Sequence, residues 1–358
     1  LSAERQPIKL AWRKIVWLRS NKMNKSKTSR VCIPCSTYVL TFYLLMSSQK
    51  EIDNTFFFFA HTIPENIRNK FPNSTFIDLK DFWHKNKYVL ALYTLVKRKK
   101  DWAFIFDADI YGLDFYWDLL RGLKMNYIED CPNVLDIWEN SNLYREYKEF
   151  ETYSLLKKRL KHLLFGDYYQ HPVGTSSMVT TIYTSSPYNK PYHKNKKNIV
   201  KRLSEEWEGS SKEKKQYILG VFDLNKEDLQ KLASRKVILL TQAFVEDGKM
   251  SDKEQIEMYR TIIEHYGEKN IIIKKHPRDG RNYEKEFPQA LHFNKNIPMQ
   301  MLAVMGVSFE CVVTVNSSSA LSFGAEANID WWGEQMDEEL ICDEGFLTLK
   351  EAKQVLLH

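Results

Sequence analysis

Two short apolar runs in this chain end abruptly in side chains suited to an anion. Ile271-Ile-Ile-Lys-Lys-His-Pro-Arg278 delivers His276, followed by Pro277, with Lys275 and Arg278 beside it. About forty residues later, Val312-Val-Thr-Val-Asn-Ser-Ser-Ser319 delivers Ser317, Ser318 and Ser319. A β-branched run that stops at polar residues is how a buried parallel strand reads where it enters a loop at its carboxyl end. Open α/β sheets bind ligands at that edge. A cationic donor on one strand, with hydroxyls and backbone N–H groups on the other, suits a phosphate or carboxylate, so the pair predicts an anion site for a nucleotide. The serines fall where a helix is expected to begin, and a helix start offers unpaired N–H groups and partial positive charge. A histidine set against a leaving phosphate can give it a hydrogen bond or a proton.

Transfer of a group to a hydroxyl also needs a base. Glu129-Asp130 closes one predicted strand, and Glu246-Asp247-Gly248 follows another, just after Thr241-Gln242. On facing edges of a cleft, either pair could accept the proton. Asp107-Ala-Asp109 has the bare D-x-D form but no further ligands, and reads as a strand end. Cys32 and Cys35 form a lone C-x-x-C without the second ligand pair of a zinc site, and read as two buried thiols. No metal site is expected.

The elements that would position these groups alternate between short strands and helices. In the first half, strands are expected over 30–35, 55–60 (ending at His61), 75–78, 102–106 and 126–128, with helices over 41–48, 82–97 and 112–124. A long charged helix is expected over 143–164, loops with one edge strand over 166–197, and a polar linker over 204–215. The second half repeats the alternation, with strands over 236–241, 270–275 and 311–315, and helices over 251–266, 297–305 and 318–327. This pattern argues two Rossmann-like, doubly wound parallel sheets. Joined by a linker with a cleft between them, they make an α/β fold of GT-B type. The expected units are a basic segment over 1–30, a first Rossmann-like half over 31–210, a second, nucleotide-binding half over 211–345 and a final helix over 346–358. Neither half carries G-x-G-x-x-G or a Walker loop, which argues against a dinucleotide oxidoreductase or a P-loop enzyme.

The bulk numbers agree. At 358 residues and 43% hydrophobic the chain can bury two cores. Five cysteines in such a length do not make a disulfide framework. From Arg5 to Arg30 there are nine Lys or Arg and no acid, a basic arm on a near-neutral body. Within it, Ile8, Trp12, Ile15 and Leu18 share a helical face among basic residues, the pattern of a helix lying on an anionic membrane surface. A second basic stretch, Lys190-Pro-Tyr-His-Lys-Asn-Lys-Lys197, reads as a solvated loop.

Lys274-x-His276-Pro277-Arg278, the serine run and the acidic pair at 129–130 resemble the motifs of bacterial sialyltransferases. Their order, the His-Pro-Arg form, the separation of His276 from Ser317 and the opening Cys32-Ile-Pro-Cys-Ser-Thr37 are most similar to glycosyltransferase family 52, the lipooligosaccharide sialyltransferases. The resemblance covers roughly residues 31–330. It implies inverting, metal-independent transfer from CMP-sialic acid to a terminal sugar, often galactose, with no cofactor. On this sequence it implies that His276 contacts the CMP phosphate and acts as acid, while Ser317 and Ser318 bind that phosphate. Asp247 is the first choice for base, Glu246 the second, and Asp130 remains a third. The donor site would also include Pro277, Arg278, Ser319, Thr241 and Gln242, and Glu129, Asp130 and His61 would lie on the acceptor side. Two departures stand out: Cys131 replaces the glycine of the acidic motif, and Gln300 stands where relatives often carry an acid for the ribose hydroxyls.

The implied partners are a nucleotide-sugar donor and a glycan or glycolipid acceptor, not nucleic acid. Peripheral contact with the inner face of a bacterial cytoplasmic membrane through residues 5–30, and a homodimer, complete the expectation. Gln300 keeps open a different donor such as a UDP-hexose. The basic segments keep open a non-enzymatic binder of anionic polymer or membrane.

Overall fold

The structure is a computed structural model that describes residues 29–77, 87–113, 120, 122–130, 152–165, 174–187, 195–293, 296–323, 327–335 and 349–350. The basic arm as far as residue 28, its amphipathic face, residues 190–194, Cys131 and most of the expected final helix lie outside these residues, as does most of the helix expected over 112–124. Among the described residues no helix is long and apolar enough to cross a membrane.

The first sheet comprises β1 (Arg30–Ile33), β2 (Thr55–Phe59), β3 (Ser74–Phe76), β4 (Asp109–Gly112), β5 (Met125–Ile128), β6 (Val179–Thr184) and β7 (Lys197–Val200). Its order is β3-β2-β1-β4-β5-β6-β7, and every neighbouring pair is parallel. β2 is buried along its whole length, as a strand covered on both faces must be. Phe56 and Phe58 pack on Phe104 and Trp102, while Phe57 and Phe59 stack on one another and meet Phe71 at a tilt. Helix α1 (Thr37–Met46) starts at Ser36, whose hydroxyl accepts the Val39 N–H.

The second sheet comprises β8 (Val237–Leu240), β9 (Ile271–Lys274), β10 (Leu291–His292), β11 (Cys311–Thr314) and β12 (Ile329–Trp331). Its order is β10-β9-β8-β11-β12, again all parallel. Alternation divides its faces. Leu239, Ile271, Ile273 and Val313 join one cluster with Tyr259 and Ile262, whereas Ile238, Leu240, Ile272 and Val312 join a core continuous with the first sheet.

Several expectations are corrected. Residues 103–106 form a 3-10 helix, and the strand beside β1 is β4. Only Ile105 of that turn is buried, whereas Phe106 is half exposed, so its aromatics cap the sheet without extending it. Gly112 ends β4 at φ +136°, with backbone so close to Ile33 that a Cβ there would lie 2.3 Å from the Ile33 carbonyl oxygen. The helix expected over 143–164 begins, in its described part, only at Leu155, after a turn at 152–154. Residues 179–200 supply two strands where one was expected, because the β-branched Val179-Thr-Thr-Ile-Tyr-Thr184 lies inside the sheet.

The expected linker over 204–215 is helical. α2 (Leu203–Glu208) packs on α1, and α3 (Lys212–Val221) starts at Ser211, whose hydroxyl accepts the Lys214 N–H. The Lys214 ammonium donates to the Leu45 carbonyl at 2.6 Å, and the Lys70 ammonium to the Gly220 and Val221 carbonyls at 2.6 and 3.0 Å. This segment therefore ties the two halves together.

Candidate active site

Leu240 pairs with Lys274, and Thr314 with Leu240, so β9, β8 and β11 reach their carboxyl ends level with one another. The turn after β9 hangs on Thr241. Its Oγ1 accepts the His276 N–H at 3.0 Å and donates to Asp279 Oδ2 at 3.0 Å. The same Oδ2 accepts from Gln255 Nε2 at 3.2 Å and Tyr283 Oη at 2.8 Å, and Oδ1 accepts the Arg281 N–H at 3.0 Å. Gln255 also donates to the Gln242 carbonyl at 3.1 Å and accepts the Val245 N–H at 3.1 Å, while the Gln242 N–H donates to Tyr259 Oη at 2.6 Å. Thr241, Gln255, Tyr259, Asp279 and Tyr283 are all buried. Burial pushes the Asp279 carboxyl up, against the pull of its hydrogen bonds.

This network, and not the isolated strand end, fixes the turn. Gln255, Tyr259, Asp279 and Tyr283 escaped the sequence analysis. The available signal was Gln255 and Tyr259 at i, i+4 on the buried face of α4 (Asp252–Tyr266).

His276 is half-buried. Its Nδ1 accepts the Arg278 N–H at 3.2 Å, which assigns the ring proton to Nε2. Burial, then the positive charges of Arg278 and Lys274, lower its pKa to about 4 against the opposing pull of Asp247 and Glu246. The ring is therefore neutral near pH 7 and a hydrogen-bond donor through Nε2. Lys274, buried on the same strand face, is lowered to about 8 by desolvation. Lys275 donates to the Arg281 carbonyl at 3.2 Å. Pro277 is exposed.

The loop carboxylates stand on the same sheet edge as His276. Arg278 grips Asp247 with both guanidinium nitrogens, Nη2 lying 3.0 Å from Oδ2. Glu246 pairs with Arg281 and accepts the Gly280 N–H at 3.0 Å, while Arg281 Nε also lies 2.9 Å from Asp252. Of the cations expected beside a phosphate, Arg278 is thus already engaged with an acid and Lys275 with a backbone carbonyl.

Ser317 is buried. Its N–H donates to Thr314 Oγ1 at 3.0 Å and its carbonyl accepts the Ala320 N–H at 3.0 Å. Residues Ser318–Phe323 form a 3-10 helix, where an α-helix to residue 327 was expected, and Ser319 is half-buried. With a turn this short, anion binding depends on individual N–H and hydroxyl groups more than on a macrodipole. Helix α5 (Met299–Val304) packs against it and carries a half-exposed Gln300 in its first turn. The turn that carries Ser317 thus leaves the same sheet edge as the His276 turn.

On the first sheet, Glu129 is buried after β5. Its Oε1 accepts from Tyr38 Oη at 2.8 Å, the Ser185 N–H at 2.8 Å and Ser185 Oγ at 2.5 Å. That set holds β5, β6 and α1 together. Asp130 is less buried, faces Cys35 Sγ at 3.5 Å, and is pushed up by desolvation against hydrogen bonds from Ser36 and Cys35. Burial raises both the Cys32 and Cys35 thiols. His61 is exposed in the turn after β2. Asp109 begins β4 beside Arg30, at the amino end of the sheet, so the D-x-D lies on the edge opposite to Glu129 and Asp130. Among the described residues, no three His, Cys, Asp or Glu side chains converge as a metal site.

Comparison with known proteins places these elements. Residues 41–331 match the model of glycosyltransferase family 52. An uncharacterised protein of Haemophilus influenzae is 26% identical over 322 residues, covering 88% of this chain and 97% of that protein. Among solved structures, the 2,6-sialyltransferase of Photobacterium sp. JT-ISH-224, in complex with CMP and lactose, superposes with a TM-score of 0.54 at 11% identity, covering 84% of this chain and 70% of that one. The GT-B domain of the Photobacterium damselae sialyltransferase gives 0.52 at 13% identity, covering 84% and 89%. The two parallel sheets thus have the GT-B arrangement.

Proposed function

The chain belongs to glycosyltransferase family 52 and is a glycosyltransferase, and on that footing we propose that it moves sialic acid from CMP-sialic acid to a terminal galactose of a bacterial surface glycan or lipooligosaccharide, with inversion and without a metal. The observation that carries this reading is the His276 turn, where a neutral Nε2–H stands at a carboxyl sheet edge that ends level with the strand leading to Ser317. The structurally similar 2,6-sialyltransferase captured with CMP and lactose supports a CMP-linked donor and a galactose-ended acceptor.

In this mechanism the Nε2–H donates to a phosphate oxygen of the bound donor. The approaching negative charge raises the pKa of His276, so the ring takes up a second proton from solvent as the donor binds, and the imidazolium then gives its Nε2 proton to the phosphate oxygen that leaves with CMP as its bond to the sugar's anomeric carbon breaks. The acceptor oxygen bonds the anomeric carbon from the opposite face and gives its proton to a carboxylate, Asp247 first. Ser317, Ser318 and Ser319 hold the phosphate, and Gln300 the ribose. A single departing phosphodiester develops less charge than a pyrophosphate, so directed donors can suffice to stabilise it. Residues 5–30 would rest on the inner face of the cytoplasmic membrane, and a homodimer is compatible with this arrangement.

The test is CMP release from CMP-sialic acid with lactose as acceptor in excess EDTA. Release is expected, and wild-type protein inactive on a panel of galactose-ended acceptors would refute the assignment. Gln300 favours one second reading, a UDP-hexose donor. Thermal shifts with CMP, CDP and UDP separate the two, a clear preference for UDP overturning sialyl transfer.

A further inference from the structure

Asn316 has no place in the site described so far. It is 2% exposed, and neither its Nδ2 nor its Oδ1 has a hydrogen-bond partner among the described residues. Buried amides are paired almost without exception, because an unpaired one has lost its water and gained nothing. Nor does Asn316 shape its own turn, since the capping bond there runs from the Ser317 N–H to Thr314 Oγ1.

Its place is specific. Thr314, Leu240 and Lys274 stand in one row across β11, β8 and β9. Two residues further along each chain come Asn316, Gln242 and His276. Alternation puts Asn316 on the face of Val312, as it puts His276 on the face of Ile272, and those two belong to one cluster while the intervening Val315 belongs to the other. Two strand spacings, about 9 to 10 Å, separate the paired ends Thr314 and Lys274 from which Asn316 and His276 continue. That is roughly the span of a phosphate together with an attached sugar ring.

We propose that Asn316 is a specificity-determining residue that binds the transferred sugar of the nucleotide-sugar donor, its amide pairing with a hydroxyl or acylamino group when the donor is bound. This rests on the donor-site reading above. A phosphate only accepts, and would leave Oδ1 unpaired, whereas a hydroxyl or an amide both donates and accepts. The amide is covered by its surroundings, so in this proposal the residues after it shift as the donor enters.

Two variants test this, Asn316→Leu, similar in shape without polar atoms, and Asn316→Asp, which keeps the shape and loses the donor. Affinities for CMP and for a non-transferable CMP-sialic acid analogue are measured by calorimetry, with UDP and UDP-glucose in parallel, alongside the ligand-free melting temperature. The expected result for both variants is at least tenfold weaker binding of the nucleotide sugar with under twofold change for the bare nucleotide. Asn316→Leu should melt at or above wild type, because it removes an unpaired buried amide. Unchanged sugar-nucleotide affinity with a lowered melting temperature would overturn the proposal, assigning the amide to the fold through buried water. Equal weakening of nucleotide and nucleotide sugar would also overturn it, as would failure of wild type to bind any of the four. A wild-type preference for the UDP pair would remove the CMP-sialic acid reading alone, with Asn316 then judged on UDP-glucose against UDP.

Discussion

Replacing Thr241 with valine keeps the shape of a buried side chain and removes one oxygen, and that oxygen makes two bonds. The His276 N–H loses its acceptor at 3.0 Å, and Asp279 Oδ2 loses one of three donors. An orphaned buried N–H costs about 1–3 kcal/mol, and one lost bond to a carboxylate that keeps two others about 1 kcal/mol. The expected destabilisation is therefore about 2–4 kcal/mol, a fall of roughly 3–5 °C in melting temperature for a chain of this size. If the turn relaxes instead of the whole fold weakening, the imidazole moves. A shift of about 1 Å in a catalytic group lowers the rate by about a hundredfold.

The assay pairs calorimetric melting with CMP release for Thr241→Val and Thr241→Ser. Serine restores the oxygen and omits only a methyl group, so it should recover most of the activity. Its residual loss of stability should be about 1 kcal/mol, the value of one buried carbon. A valine variant that melts within a degree of wild type and turns over within twofold would refute the idea that this hydroxyl positions His276. Equal loss in the valine and serine variants would assign the effect to packing.

Two further outcomes follow from the charges. His276 binds its proton at about 4 in the folded chain against an ordinary 6.5, so between these values the unfolded chain holds more protons. Stability should therefore fall as pH drops from 6.5 towards 4, by at most about 3 kcal/mol, and His276→Gln should flatten that slope in urea titrations. An unchanged slope would show that the ring is not held neutral. Asp247→Asn should lower turnover by about a hundredfold or more, with little change in melting temperature because Arg278 is largely exposed. Asp130→Asn should leave turnover within a few fold, and the reverse ranking would move the base to the first sheet.

Strands buried on both faces were legible because their signal is a contiguous apolar run, as in Thr55–Phe59, Ile271–Lys274 and Cys311–Thr314. The same signal misled at Ala103–Phe106, where the apolar residues are anchors at the margin of a sheet. β10 and β12 hold two and three residues, too few for any period to show. At the site, position was legible and pairing was not. Strand ends pointed to His276 and the serines, but Arg278 meets Asp247 across 31 residues and Thr241 meets Asp279 across 38. Such partnerships depend on how two loops leave neighbouring strands. Asp279 itself reads as one more loop acid, and only burial beneath Thr241, Gln255 and Tyr283 makes it structural.

The partners of each acid also rank the candidate bases. A base must be free of its native partners when the acceptor hydroxyl arrives, so the energy of releasing it enters the barrier. Glu129 would have to leave three donors in a buried setting, at several kcal/mol. Glu246 is held by Arg281 and by the Gly280 N–H, and Arg281 is itself mostly buried. Asp247 has one partner of note, Arg278, whose side chain is 56% exposed although the Asp247 side chain is only 14% exposed, so water reaches the arginine end of the pair and separating it costs less than releasing Glu129 from its buried donors. A donor phosphate beside His276 offers Arg278 a second anion and lowers that cost further. In the proposed mechanism, binding of the donor and release of Asp247 are then coupled through one guanidinium, which is the argument for proposing Asp247 before Glu246.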